Sequence, residues 1–280
     1  MASIAPTRRS SLLRSLSYLI NRWILRRPFL EAQVAALNLR FKVKTEDVVG
    51  RHIYKYQVHE PTLSQFLISY LKFKPGDIVI DIGANIGWYS LLLARLMPDD
   101  ADVFAFEPDP LNFELLEHNI QLNGETRITA TPKALAAEDG VQRLYRHDSN
   151  NLGRHSLLQL QDGESVEVHT TSLDKFWDEK NLGTRVPRFI KIDIEGYELI
   201  ALRGASEVLK RCPALLCEFS PDYMRQGGID PADLIELLAG HGFEPHTIGE
   251  TGLQPVATES LAELTQVTDL FWQRSDADRA

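Results

Sequence analysis

From Lys74 onward, short runs rich in β-branched and aromatic residues alternate with stretches of helical period. Such alternation is the mark of a parallel sheet covered by helices on both faces, so it narrows the architecture more than any other feature. The first run spans residues 77–82, and the helix that opens near Gly87 carries Tyr89, Leu91, Leu92, Leu93 and Leu96. Runs at 102–106, 128–131, 189–194 and 214–219 follow, with helices expected over 110–122 and 198–211. That makes five parallel strands. Between Gly140 and Phe176 the period changes to two, over 141–145 and 166–170, which reads as an inserted hairpin. Its connection, 146–163, is a long polar loop holding Asn150, Asn151, Gly153 and His155. A helix over 232–240 and strands at 242–246 and 267–272 complete the pattern, while residues 30–70 read as helical or mixed.

The 280 residues are 44% apolar and 25% charged, enough for one large core, and proline and glycine are near average, which excludes collagen-like and wholly disordered chains. No repeat of solenoid length is present. Cys212 and Cys217 are the only cysteines and no histidines cluster near them, so neither a disulfide framework nor a structural zinc site is indicated. No window approaches the roughly 20 apolar residues of a bilayer-spanning helix. A reducing, cytoplasmic setting is the expectation.

Charge is unevenly spread. Residues 1–27 hold six arginines and no acid, so a net charge of −9 overall leaves −15 on the rest once those six are taken off. Within this arm Leu12, Leu13, Leu16, Leu19, Ile20, Trp23 and Ile24 recur at helical steps, and Pro28 stops the helix. Three readings fit: the stripe packs on the domain, residues 8–27 touch an anionic membrane surface where each arginine adds roughly 1 kcal/mol, or the segment is a presequence. The acidic remainder argues against a nucleic-acid partner. Nothing in the pattern sets the oligomeric state.

Residues 79–87 are an apolar strand, an acid at its carboxyl end, and a glycine-rich turn opening a helix. Gly83 and Gly87 would admit a ligand close to the backbone, beside free N–H groups of the helix start. The dinucleotide fingerprint is missing, since Asn85 stands where its second glycine belongs. Asp81 would repel a pyrophosphate and suits an ammonium group. At the end of the second run, Glu107 can accept both hydroxyls of a ribose or simply cap a helix, and Asp109 is the expected cap. A zwitterion site beside a ribose site, without a phosphate clamp, fits S-adenosylmethionine better than a nicotinamide or flavin nucleotide.

The string Asp81 to Gly87, then Phe106 to Asp109, Asn119 to Asn123, Lys133 to Leu135, Asn151 to Gly153 and Lys191 to Gly196, in this order, resembles the FkbM-type methyltransferases. The likeness spans roughly residues 60–218 and leaves the basic arm outside. It implies an α/β, class I methyltransferase (Rossmann-like) fold: a mostly parallel seven-stranded sheet with an antiparallel last strand, here with the inserted hairpin. It also implies an S-adenosylmethionine-dependent enzyme acting on a hydroxyl of a sugar, polyketide, lipid-linked or other small-molecule acceptor. Carried onto this chain, Asp81, Gly83, Asn85 and Gly87 line the methionine end, Glu107 holds the ribose, and Ala134 and Leu135 flank the adenine unless they are core. The organisation expected is a basic helix over 1–28, an accessory segment over 29–73, the methyltransferase domain over 74–273 and a disordered tail over 274–280.

Lys191, Asp193 and Glu195 alternate along the end of the fourth run, with Lys191 and Asp193 on one face. Buried charges are costly unless paired or used, so they form either an internal salt bridge or a site; Glu195 reads equally as an acid in a helix's first turn. Asp193 is the first candidate for the base or for fixing the acceptor hydroxyl, with Glu195 beside it and His155 as the alternative base. Asn150, Asn151 and Glu218 are candidates for binding substrate, and the two asparagines also suit turns. Asp193, Glu195 and Glu218 offer hard oxygen ligands for magnesium, but the pattern does not specify a metal and none is assigned. N- or carboxyl-methylation, a nucleotide-binding oxidoreductase and a non-catalytic binding module are the competing readings.

Overall fold

Strand β1, Ile78–Ile82, is buried along its whole length, with Ile78, Ile80 and Ile82 turned to one core cluster and Val79 to the other. A strand buried on both faces belongs at the centre of a covered sheet. The computed structural model describes residues 8–146, 155–160, 163–249, 252–261 and 263–274. The remaining strands of the main sheet are β2 Asp102–Phe106, β3 Ile128–Thr131, β4 Pro187–Ile192, β5 Ala214–Phe219, β6 Phe243–Gly249, β7 Gly252–Pro255 and β8 Thr268–Arg274. Their order is β7-β6-β8-β5-β4-β1-β2-β3. Strands β1 to β5 are parallel, and β8 enters antiparallel between β5 and β6. The five parallel strands and the antiparallel last strand stand as expected. The sheet has one strand more than seven, because Gly249 pairs with Gly252 and folds β7 back on β6.

This order reverses direction between β1 and β4, so the carboxyl ends of the two strands open a crevice where open α/β sheets bind ligands. One face is covered by the helices Pro61–Tyr70, Trp88–Leu96 and Pro110–Leu122, and the other by Leu173–Glu179, Glu198–Arg203, Ser206–Leu209 and Pro231–Gly240. The single helix expected over 198–211 is two, broken at Gly204, where a β-carbon would strike the carbonyl of Ala136.

The inserted element is larger than a hairpin. Gly140–Arg146 and Glu164–Thr171 pair antiparallel, but Ala134–Leu135 and His155–Ser156 add an edge strand on either side. His155 therefore sits in a strand and not in the long loop. The segment read as helical or mixed contains a hairpin, Phe29–Val34 with Leu39–Lys44, ahead of the helices Val48–Tyr56 and Pro61–Tyr70. Its burial alternates strictly, as a half-covered hairpin requires. At the other end Arg274 closes β8 instead of opening a tail. Residues 275–280 lie outside the described residues.

Candidate active site

The carboxyl ends of β1, β2 and β4 surround a cavity of about 340 Å³, within the range of small-molecule sites. On the β1 side, Gly83 has φ +79°, a conformation that disfavours any side chain, and a β-carbon there would collide with the backbone carbonyl of Asp193. The glycine is therefore needed for strand ends to meet, as well as for ligand access. The N–H groups of Gly83 and Ala84 donate to the Phe106 carbonyl at 3.0 Å each, tying the turn to β2.

Glu107, 4% exposed, accepts from the Asn85 N–H at 2.8 Å and the Asp109 N–H at 2.9 Å. Burial pushes its carboxyl up to about 8, against those two donors, which favour the carboxylate. Asn85 lines the cavity with φ +50°, and its buried Oδ1 has no hydrogen-bond partner among the described residues. An unbonded acceptor beside a buried carboxylate fits the ammonium and ribose hydroxyls of S-adenosylmethionine. Ala134 and Leu135 are buried and also line the cavity.

Two residues expected at the methionine end lie behind this wall. Asp81 is fully buried, and Ser90 Oγ donates to its Oδ2 at 2.5 Å. Burial raises its carboxyl above the usual range. Gly87, at φ +90°, caps the helix Trp88–Leu96, and a β-carbon on it would strike Leu116. Neither lines the cavity, and by residue 87 the turn has already closed into the helix.

At the end of β4, Lys191 Nζ donates to Asp193 Oδ2 at 2.9 Å. Burial alone would lower the ammonium, but the carboxylates of Asp193, Asp81 and Glu60 raise it above the usual lysine range. The internal salt bridge and the site are thus the same feature, since both residues line the cavity. Glu195 is buried at φ +54° in the turn that follows. It does not lie in the first turn of the next helix, where Glu198 stands instead, accepting from the Ile194 and Gly196 N–H groups at 3.1 Å. Carboxylate oxygens of Asp193, Glu195 and Glu218 lie within 4.8 Å of one another. Burial, and then Asp193 and Glu195, push the Glu218 carboxyl well above its usual range.

His155 lines the cavity with its Nδ1 3.6 Å from Asp109 Oδ2, an oxygen that Arg146 also holds at 2.7 Å. Asp109 is the expected cap, accepting from the Leu111 and Asn112 N–H groups. Asn150 and Asn151 lie outside the described residues.

Sequence reading missed a histidine. His59, from the segment ahead of the sheet, lines the same cavity, with its Nε2 3.6 Å from Glu60 and its Nδ1 buried without a hydrogen-bond partner among the described residues. Burial lowers its pKa, so the imidazole is neutral. The Tyr89 hydroxyl donates to Glu60, and the Lys191 ammonium lies 4.9 Å from the Tyr89 ring centroid. No motif announces these contacts; only the fold brings residue 59 to β4.

The family described as the methyltransferase FkbM domain matches residues 81–245, from the end of β1 to the start of β6. The chain belongs to the FkbM methyltransferase family. Among curated relatives, the hexuronic acid methyltransferase AglP of Haloferax volcanii is 24% identical over 210 residues, 74% of this chain and 79% of that protein. The 31-O-demethyl-FK506 methyltransferase FkbM of Streptomyces tacrolimicus is 28% identical over 203 residues, covering 62% and 75%. Methyltransferase 1 of Beauveria bassiana is 27% identical over 173 residues, covering 54% and 69%. The crystal structure of an FkbM methyltransferase from Methylobacillus flagellatus aligns with 77% of this chain at 21% identity and a TM-score of 0.47; the chain spans about half the length of that protein. This FkbM-family chain is accordingly a methyltransferase.

Proposed function

We propose that this FkbM-family chain transfers a methyl group from S-adenosylmethionine to a hydroxyl of a sugar, polyketide, lipid-linked or other small-molecule acceptor. The observation that carries the reading is that one cavity joins the Asn85–Glu107 wall to the wall holding Asp193, Glu218 and His59. The first wall suits the cofactor and the second an acceptor. Relatives named for a hexuronic acid and for 31-O-demethyl-FK506 support this acceptor class.

The acceptor wall favours a hydroxyl over the alternatives. Three carboxyl groups within 4.8 Å repel a carboxylate acceptor and hold an amine as its ammonium, which has no lone pair to attack with. When bound, S-adenosylmethionine supplies a methyl carbon made electrophilic by a sulfonium. Asn85 and Glu107 would hold its ammonium and ribose ends, and Ala134 and Leu135 its adenine. Asp193, fixed by Lys191, accepts a hydrogen bond from the acceptor and orients its oxygen. His59 then takes the hydroxyl proton on Nδ1, a role that suits a neutral imidazole better than a carboxylate already committed to an ammonium. Glu195 and Glu218 complete the acceptor wall, and His155 stands near Asp109 on the side of the inserted sheet.

Calorimetric titration with S-adenosylmethionine, S-adenosylhomocysteine and NAD, followed by methyl transfer to a panel of sugars, uronic acids and amines, tests the reading. Saturable binding of the first two ligands and transfer to hydroxyls are expected. Binding of NAD alone, or transfer confined to carboxylates or amines, would overturn it.

A further inference from the structure

The face of the N-terminal helix that packs is the polar one. The helix Arg8–Leu19 and its continuation Ile20–Ile24 rest against the helix Val48–Tyr56 and the loop before it. Tyr18 is 1% exposed and donates to the Thr45 carbonyl, which Arg22 also reaches at 3.1 Å. Arg14 Nε donates to the Lys55 carbonyl at 2.9 Å, and the Ser17 and Tyr54 hydroxyls stand 3.0 Å apart. The apolar stripe is left outside: Leu12, Leu16, Trp23 and Ile24 are 57–72% exposed. Packing of that stripe on the domain, one of the three sequence readings, is therefore not what the fold does.

We propose that this outward face seats the protein on an anionic lipid surface. Polar bonds hold the helix with its apolar side away from the core, the opposite of what water alone would select. Arg26 and Arg27 are exposed at its end, Arg22 lies 5.0 Å from the Trp23 ring centroid, and residues 8–27 contain no acid. Apolar side chains with a tryptophan and a rim of arginines match the boundary between acyl chains and anionic headgroups. A second copy fits poorly, because a two-fold contact would set arginine rim against arginine rim. No described helix is long and apolar enough to cross a membrane, so the contact lies in the surface plane. This inference is independent of the acceptor.

The chain provides its own probe. Trp88, Trp177 and Trp272 are at most 2% exposed, whereas Trp23 is 67% exposed, so a change in tryptophan emission on adding vesicles reports the arm. Full-length protein should shift its emission to the blue and float with phosphatidylcholine vesicles containing phosphatidylglycerol. It should do neither with phosphatidylcholine alone, and added salt should weaken both. The variant Leu16→Ser/Trp23→Ser/Ile24→Ser should float at least about tenfold less while keeping its thermal transition and S-adenosylhomocysteine binding. Equal flotation of parent and variant, absence of any emission shift in the parent, or self-association in sedimentation that the triple substitution abolishes would each overturn the proposal.

Discussion

The Asn85 N–H donates to Glu107 Oε2 at 2.8 Å, so the turn after β1 and the carboxyl group after β2 are one hydrogen-bonded unit. Removing either partner disturbs both ends of the cofactor wall. With its carboxyl raised to about 8, Glu107 is mostly protonated at neutral pH, while ribose hydroxyls donate best to the carboxylate. Affinity for S-adenosylmethionine should therefore tighten by up to about tenfold per pH unit on approaching pH 8, then level off. Titrations in buffers of different ionisation enthalpy should show proton release on binding at neutral pH. A dissociation constant flat in pH would remove Glu107 from the cofactor site.

Stability should fall as pH rises across the neutral range. Burial raises Glu107 to about 8, and Glu198 and Asp269 to about 7 each. These acids bind more protons folded than unfolded, so the native state loses stability from their ordinary values near pH 4–4.5 up to about 8. Lys191 is raised too, but its contribution is already complete below the usual lysine range and adds no slope here. Thermal scans should give a higher midpoint near pH 6 than near pH 8.5, and Glu198→Gln should flatten the difference. A midpoint that climbs with pH would contradict this.

Gly83→Ala should cost about 2–3 kcal/mol, because residue 83 combines positive φ with a collision against the Asp193 carbonyl. Gly124→Ala is the control: its φ is +61° but nothing stands within 4 Å of the added carbon, so about 1 kcal/mol is expected. Denaturant midpoints of the two variants measure the difference, and equal losses would mean that β1 and β4 can separate freely.

His59→Gln should leave cofactor affinity unchanged and lower kcat by roughly 10²–10³-fold, the contribution of a positioned base. Asp193→Asn should act mainly through a raised KM for the acceptor, and should also lower the thermal midpoint because Lys191 loses its partner. If His59→Gln turns over normally and Asp193→Asn does not, the base is Asp193.

Glu218→Gln should retain most activity, since the amide keeps the size of the side chain and an oxygen for the Ser220 hydroxyl, while Glu218→Ala should lose acceptor affinity. If instead Glu218→Gln is inactive and magnesium restores the parent enzyme after chelation, the three carboxyl groups hold a metal.

The alternation after Lys74 made the parallel sheet readable, since strand and helix periods are local properties of the chain. The same period-two signal runs through residues 29–44, where apolar Leu30, Ala32, Val34, Leu39, Phe41 and Val43 face the core, and a reading begun at that point would have found the hairpin. Glu107 was legible because an acid directly after an apolar run has few structural uses. The motif's spacing did not reveal that Asp81 is fully buried and off the cavity lining. His59 and Glu60 join the site only through the packing of an earlier segment, and residue 60 adopts φ +44° without being glycine. Periodicity marked the arm's apolar stripe but left open which side packs, since hydroxyls and guanidinium groups can dock through backbone carbonyls as firmly as leucines dock through area.

The helix Val48–Tyr56 serves two neighbours. Tyr54 and Lys55 near its end receive the arm, while Val48, Val49 and His52 form part of the cavity wall. Cutting the chain at Pro28 would consequently be no neutral truncation: it would strip this helix of one of its supports and loosen a wall of the reaction chamber, so that the arm's seat and the cavity's shape depend on the same nine residues.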